Sequence, residues 1–383
     1  MSEEYMQQAL DAARQAKYSC RPNPAVGCVI VKDKKVIAVA RHEKYGKEHA
    51  EVLALKQAGD NAKGATVYVT LEPCSHVGKT NPCADALIKS KVGKVFVACE
   101  DVNPLVAGQG IQKLKENNIS VELGLLKEKA YSLNKEFFKR VSRNRPYIRL
   151  KVASSIDGKT SMLSGESKWI TSSVSREDVQ MLRAKSCAIL TGVNTVIADN
   201  PSLNVRSDEA KKIFLNEKVN QPLVYVVDSN GRLLELLKTR NFSLFKKNES
   251  KIVLIVGKQF LENFKEKCTD DDFEEFLPSN LEVKTCNLNN DGKIDLLKLQ
   301  DIFIKDEINS LLVEAGPTLT GSFLKENLFD EAIFYLAPKV LGSKANSLAS
   351  IDNILTINDS LNFKFSSVEK IGDDLKIVAE CTV

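Results

Sequence analysis

Apolar residues at Met6, Ala9, Leu10, Ala13 and Ala16 recur at helical spacing, which predicts an amphipathic helix over Glu3 to Lys17. Short apolar runs follow at Val26 to Val31, Val36 to Ala40, Ala65 to Thr70, Val95 to Cys99 and Ile119 to Leu123. They alternate with helical patterns from about His49, Pro82 and Gly110, so a sheet covered by helices is expected. The segment Lys127 to Arg145 is basic and only partly amphipathic, and Asn144-Arg145-Pro146 ends it. A domain boundary is placed there, giving domains 1–145 and 146–383. A second strand series runs through Tyr147 to Ala153, Cys187 to Thr191, Leu223 to Asp228, Ile252 to Val256, Leu281 to Lys284, Ser310 to Glu314 and Ile333 to Ala337. Helices are expected near Val174 to Ala184, Ile294 to Ile304 and Pro317 to Glu326, making a second α/β unit. Ser207 to Gln221, Arg240 to Ser250 and the acidic Asp270 to Glu275 break the pattern and read as solvated loops.

With 383 residues, 43% of them hydrophobic, the chain is long enough for two cores. Its 54 Lys and Arg against 50 Asp and Glu are too balanced to imply nucleic acid or a membrane surface as partner. No apolar run approaches the roughly 20 residues that span a bilayer, and the acidic start Met1-Ser2-Glu3-Glu4 is expected to carry no signal peptide. Cysteines at 20, 28, 99, 187, 268, 286 and 381 form no disulfide framework, which fits a reducing cytoplasm.

All three histidines fall between positions 42 and 76. One opens His49-Ala50-Glu51, followed downstream by Pro73-Cys74 and then Cys83. An imidazole and two thiolates suit zinc and leave a fourth position for water, the pattern of a catalytic rather than a structural site. Bound zinc lowers the pKa of its water to about 7, and a neighbouring base must still carry the proton, a role open to Glu51. A helix opening near Glu48 would send His49 and Glu51 in different directions, and Pro73-Cys74 would start a second helix or a tight turn. His-x-Glu and Pro-Cys also occur by chance, and free cysteines are commonly core residues. The combination follows the signature of zinc deaminases, except that Ser75 to Pro82 separates the two cysteines instead of two residues. That insertion carries His76, Lys79 and Thr80, groups able to grip an anion.

In the second unit, Ser154-Ser155-Ile156-Asp157-Gly158 ends the first strand, and Glu314-Ala315-Gly316-Pro317-Thr318-Leu319-Thr320-Gly321 leads from a late strand into a helix. Such a helix start presents unpaired N–H groups to phosphate, although Pro near the first helical position is also an ordinary helix start. The G-x-G-x-x-G dinucleotide fingerprint is absent.

The run Arg21-Pro22-Asn23-Pro24-Ala25-Val26-Gly27, with His49-Ala50-Glu51, Glu72-Pro73-Cys74-Ser75-His76 and Asn81-Pro82-Cys83, resembles the deaminase half of the bifunctional riboflavin-biosynthesis deaminase/reductases. Ser155-Ile156-Asp157-Gly158-Lys159, Gly165-Glu166-Ser167, Trp169-Ile170-Thr171, Leu182-Arg183-Ala184, Asp199-Asn200-Pro201-Ser202-Leu203 with Arg206, and Glu314 to Leu319 resemble the reductase half. The resemblance implies a cytidine-deaminase-like three-layer αβα domain followed by a dihydrofolate-reductase-like α/β domain. It implies Zn2+ on His49, Cys74 and Cys83, Glu51 as proton carrier, and Asn23, His42, His76, Lys79, Asp101 and Asn103 around the pyrimidine substrate. NADPH is implied along Ala153, Trp169, Thr195, Asp199, Gly316, Pro317, Thr318, Leu319, Thr320, Gly321 and Ser322. Ser167, Arg183, Leu203, Arg206 and Glu314 are implied at the phosphorylated substrate. Guanidinium forks match phosphate oxygens, whereas a lone tryptophan such as Trp169 is as readily a core anchor. Ala315 stands in place of a second glycine, a departure that would crowd a pyrophosphate; Val77 and Asn81 replace a common His and Pro.

The activity implied is hydrolytic deamination of 2,5-diamino-6-(5-phosphoribosylamino)pyrimidin-4(3H)-one, then NADPH-dependent reduction of its ribosyl group. A dimer or tetramer through the second domain is implied as well. No residue is singled out as proton donor for the reduction; Lys151 and Asp157, near the site in sequence, are the candidates. Two other readings compete. A nucleic-acid adenosine or cytidine deaminase would leave residues 146–383 unexplained, and a zinc-stabilised binding module would leave Glu51 as a helix-start acid.

Overall fold

The computed structural model describes the chain except residues 77–80, 104–106, 247–248, 268–276, 353 and 382–383. Val77, Lys79, Thr80 and the acidic stretch Asp270 to Glu275 therefore lie outside the described residues. The chain divides into two compact units, Met1–Arg145 with Lys212–Asn220, and Pro146–Lys211 with Gln221–Val383.

Unit 1 is a five-stranded sheet of order β2-β1-β3-β4-β5, with β1 Gly27–Lys32, β2 Lys35–Arg41, β3 Thr66–Val69, β4 Lys94–Val97 and β5 Ser120–Leu123. β1 runs antiparallel to β2 and β3, and β3, β4 and β5 are parallel. Alternate residues of each strand serve two cores. Cys28, Ile30, Val67, Val69, Val95 and Val97 meet α2 (Ala50–Ala58), α3 (Cys83–Lys89) and α4 (Gln109–Glu116). On the other face Val29, Val31, Tyr68 and Phe96 meet α1 (Ser2–Ala16), α5 (Lys127–Leu133) and α6 (Lys135–Arg143). This is the three-layer αβα arrangement. α1 lies so close to β1 that a Cβ on Gly27 would sit 1.9 Å from the Ala9 carbonyl oxygen, so only glycine fits there.

Unit 2 is a nine-stranded sheet of order β11-β10-β9-β8-β12-β6-β13-β16-β15. Its strands are β6 Tyr147–Ser155, β8 Ala188–Gly192, β9 Leu223–Val227, β10 Ile252–Gly257, β11 Leu281–Cys286, β12 Ser310–Glu314, β13 Glu331–Ala337, β15 Phe363–Ile371 and β16 Asp374–Cys381. β7 Lys159–Ser161 and β14 Asn346–Ser347 form a small separate ladder. Strands from β11 to β13 are parallel, and the β15–β16 hairpin adds on antiparallel. Two cores flank the sheet. The helices that matter below are α7 Ser173–Lys185, α8 Val193–Asp199, α9 Asp208–Lys211, α10 Arg232–Leu237, α11 Ser243–Lys246, α12 Lys258–Lys267, α13 Leu296–Lys305 and α14 Pro317–Lys325. No described helix is long and apolar enough to cross a membrane.

Two of the expected solvated loops are more than that. Ser207 to Gln221 contains α9 and buries Ala210 and Phe214, and Arg240 to Ser250 contains α11 and buries Phe242 and Leu244. A few apolar side chains anchor each among charged neighbours, too sparsely to make a periodic signal.

Candidate active sites

The chain leaves β3 through Thr70-Leu71-Glu72 into Pro73-Cys74, beside the start of α2. His49 is the N-cap of α2 with extended backbone, and its imidazole makes no side-chain cap to the helix. Of the helix or tight turn expected at Pro73-Cys74, no helix forms, whereas Pro82 is the N-cap and Cys83 the first residue of α3, as the helical pattern from about Pro82 predicts. Cys74 sits in the loop before it and accepts the Cys83 backbone N–H at 3.4 Å. His49 Nδ1 lies 3.2 Å from Cys83 Sγ and 3.6 Å from Cys74 Sγ, and the three ligand atoms fall within 4.8 Å of one another. One imidazole and two sulfurs at this separation fit a zinc ion with one position to spare.

The charges agree with that fit. Hydrogen bonding from Cys83, opposed by burial and aided by His49, pulls the Cys74 thiol down to about 4. The Cys74 thiolate in turn pushes the Cys83 thiol and the His49 imidazole up. The metal-free trio thus shares protons that a cation would displace.

Glu51, on the first turn of α2, is 3% exposed, and its Oε2 is buried with no hydrogen-bond partner. Burial, reinforced by Cys74 and opposed by His49, pushes its carboxyl up to about 7. An orphaned carboxylate costs stability unless something fills the gap, and a pKa near neutrality suits a group that both takes and returns a proton. One consequence concerns folding. The Glu51 pKa rises from an ordinary 4.5 to about 7, so its contribution to stability is fully present below about 4.5 and lost as pH rises through about 7. Metal-free protein should therefore lose melting temperature relative to metal-free Glu51→Gln across that interval. Parallel melting curves in the two proteins would show that Glu51 carries no such burden.

Asn23 and His42 form one unit. His42 Nδ1 lies 3.0 Å from the Glu48 carbonyl oxygen, which can only accept, so Nδ1 carries the hydrogen. Nε2 then accepts from Asn23 Nδ2 at 3.0 Å. With 2% exposure, His42 holds Asn23 rather than facing a ligand, and Asn23 Oδ1 is the acceptor left for one. Asp101 Oδ1 accepts the Asn103 backbone N–H at 2.8 Å, and His76 is exposed. Sequence reasoning assigned no role to Glu72. Its buried carboxylate accepts N–H groups of Asp101 (3.3 Å), Gly108 (3.0 Å), Gly110 (2.9 Å) and Ile111 (3.2 Å). It thereby ties the segment before Cys74 to the Asp101–Asn103 loop and to α4.

In unit 2, Glu314 and Lys151 pair in register on β12 and β6. Arg183 of α7 binds Glu314 through Nε–Oε1 at 2.6 Å and Nη2–Oε2 at 2.9 Å, each side chain 10% exposed. Burial lowers the Lys151 pKa and opposes ionisation of Glu314, whose carboxyl Arg183 nonetheless holds below its ordinary value. Arg183 Nη1 donates to the Asn204 carbonyl, and Arg206 Nη1 to Asn204 Oδ1, which gathers two guanidinium groups at one loop. Burial and the neighbouring Arg183 lower the Arg206 pKa. Leu203 belongs to the core with a left-handed φ of 48°, so its side chain does not face a ligand. Ser167 Oγ donates to Asp199 Oδ1 at 3.0 Å instead of joining the arginines. Asp157 accepts from Ser155 Oγ, Leu341 N and Gly342 N, bonds that hold its carboxyl down to about 2. It is a loop tie, not a proton donor, and Lys151 is the remaining candidate.

A cavity of about 390 Å³ is lined by Thr195, Gly316, Pro317, Thr318, Leu319 and Ser322 among others. Thr320 and Gly321 point elsewhere: Thr320 is buried and donates to the Ala315 carbonyl. A Cβ on Gly321 would meet the Ser350 carbonyl at 1.9 Å, so that glycine serves packing. Ala315 packs into the core and does not line the cavity, so its methyl crowds nothing there. Trp169 is 60% exposed with the Arg176 guanidinium 4.2 Å over its ring, which rules out a core anchor. Ala153, on the sheet face that carries Lys151, is partly buried.

Residues 146–377 match the family model described as the RibD C-terminal domain, and residues 1–99 match the cytidine and deoxycytidylate deaminase zinc-binding region. The riboflavin biosynthesis protein RibD of Escherichia coli is 42% identical over 378 residues, 97% of each chain. The chain belongs to the RibD family. RibD of Aquifex aeolicus is 41% identical, covering 97% of this chain and 96% of its own. Among solved structures, Acinetobacter baumannii RibD superimposes with a TM-score of 0.85 at 42% identity, over 100% of this chain and 99% of that one. A Thermotoga maritima diaminohydroxyphosphoribosylaminopyrimidine deaminase/5-amino-6-(5-phosphoribosylamino)uracil reductase matches at 0.80 and 28% identity, with the same coverage. This RibD-family chain is a riboflavin-biosynthesis enzyme, with a zinc-binding deaminase domain ahead of a reductase domain.

Proposed function

We propose that domain 1–145 deaminates 2,5-diamino-6-(5-phosphoribosylamino)pyrimidin-4(3H)-one and that domain 146–383 reduces the product to 5-amino-6-(5-phosphoribitylamino)uracil. The observation that carries the first half is the His49, Cys74, Cys83 trio beside the orphaned Oε2 of Glu51. Zinc held by the trio would supply an acidified water at neutral pH. Glu51 would accept one proton from the attacking water and pass it to the ring nitrogen, then carry the hydroxyl proton of the carbon adduct to the amino group, which leaves as ammonia as the carbonyl forms. Asn23, oriented by His42, reads the pyrimidine edge, while Asp101 and Asn103, with His76 and Lys79, hold the sugar-phosphate side.

In the second half NADPH, when bound, would supply the hydride that reduces C1′ of the opened ribose. Arg183 and Arg206 take the substrate phosphate end, with Glu314 orienting Arg183. Lys151 supplies the proton, its pKa lowered by burial. Gly316 to Leu319 offer the N–H groups of Thr318 and Leu319 to the cofactor pyrophosphate, since Thr320 N already donates to the Gly316 carbonyl. Ala153, Trp169, Thr195, Asp199 and Ser322 complete that side. The balanced charge supports a small-molecule substrate without nucleic acid or membrane. We place the enzyme in the cytoplasm, where free cysteines persist, as a dimer or tetramer.

Chelation separates the halves. Stripping zinc should abolish ammonia release from the diaminopyrimidine yet leave NADPH oxidation on the deaminated pyrimidine intact. Ammonia release that survives chelation would remove the metal from the account.

A further inference from the structure

The cavity beside α14 continues to a second wall formed by the end of β9, the start of α10 and the turn Asn289 to Lys293. That wall is built as one piece. The Ile294 N–H donates to Ser229 Oγ at 3.0 Å, which ties the turn to the strand end. The turn closes on itself, with Asn289 N donating to the Lys293 carbonyl at 2.7 Å and Lys293 N to Asn289 Oδ1 at 3.0 Å.

Two cations stand on it. Arg232 donates through Nη2 to Asn194 Oδ1 at 2.8 Å, a neutral acceptor that fixes the guanidinium without cancelling its charge. Its Nε is 3.9 Å from Asp228 Oδ1, longer than a hydrogen bond. Asp228 also lines the cavity but is buried; its Oδ2 accepts the Leu233 N–H at 2.7 Å, and its Oδ1 has no hydrogen-bond partner. Lys293 is exposed, and its ammonium has no ion-pair partner among the described residues. Asp291 and Glu326 also line the cavity; Asp291 shares the turn with Lys293, and Glu326 lies at the far end of α14.

A nicotinamide dinucleotide carries a pyrophosphate, and in its phosphorylated form a further phosphate on the adenosine ribose. The cavity offers two separate anion-receptive places, the start of α14 and the Arg232–Lys293 wall. We propose that Arg232 and Lys293 receive the 2′-phosphate of the cofactor and so set its preference for the phosphorylated dinucleotide. A guanidinium fork and a mobile ammonium together match a terminal phosphate, whereas an unphosphorylated ribose gives neither a charged partner. The proposal rests on the reading of unit 2 as a nicotinamide-dependent reductase.

The test is calorimetric titration of the full-length protein and of Arg232→Gln and Lys293→Gln with NADP+ and NAD+. Each substitution keeps a polar side chain at its position and removes only the charge. Wild type should bind NADP+ more tightly, and each variant should lose about ten- to a hundredfold in NADP+ affinity. NAD+ affinity should stay within about twofold, and the wild-type preference should shrink with added salt. Equal losses for both dinucleotides, or an unchanged preference in both variants, would overturn the assignment. Wild type that binds neither dinucleotide would instead bring down the reductase reading itself, and the assignment with it.

Discussion

Glu51→Gln should lower the deamination rate by about 10² to 10⁴-fold while the protein keeps its zinc and its reductase activity. The amide fills the same volume and keeps one acceptor, but it cannot carry a proton. The carboxylate is positioned for that role by burial at the first turn of α2, with one oxygen unpaired and a pKa pushed up to about 7. Metal analysis alongside an ammonia assay separates the alternatives. A variant that retains zinc and most of its rate would make Glu51 a helix-start acid and leave a metal-stabilised binding module as the better reading. Loss of zinc together with rate would assign Glu51 to site assembly rather than proton transfer.

The second large effect concerns the buried charges of unit 2. Glu314→Gln leaves Arg183 and Lys151 in the interior without a carboxylate, and breaking such a pair costs about 3–5 kcal/mol of stability. Arg183→Met should cost less, because Glu314 still has Lys151 in register on the neighbouring strand. Both pair members are nine-tenths buried, so solvent screening does not erase the difference. Chemical denaturation of the two variants measures it. The ordering Glu314→Gln below Arg183→Met below wild type is expected, and a variant pair within about 1 kcal/mol of wild type contradicts it. Reduction of the deaminated substrate should suffer in both, with a raised KM in Arg183→Met where a phosphate partner is gone.

The inner strands of both sheets were legible as short apolar runs because helices bury them on two faces. The zinc trio was legible because its residue types are chemically restrictive. The start of α3 was legible at Pro82, where a helical pattern follows the proline, whereas the helix-or-turn reading at Pro73 rested on the proline alone and no helix forms there. The β15–β16 hairpin escaped notice because its outer strand is largely exposed and its apolar residues do not alternate cleanly with polar ones. Helix α8 is seven residues long, too short for a periodic pattern. Glu72 was silent for another reason: its four partners lie 29 to 39 positions away. Contacts at that separation follow from the packing of α4 against the loop, not from local pattern. The inward turn of Thr320 and Gly321 and the core placement of Leu203 and Ala315 likewise depend on tertiary packing, which a motif does not carry.

The most direct test of the whole account is a coupled assay on zinc-loaded protein given the diaminopyrimidine ribosyl phosphate, with ammonia and reduced nicotinamide followed together. Ammonia should appear without cofactor, and NADPH should be oxidised only after deamination, one equivalent for each ammonia released. Cofactor oxidation on the undeaminated substrate would reverse the order of the two reactions, and ammonia without any NADPH use would leave the second domain without the activity assigned to it.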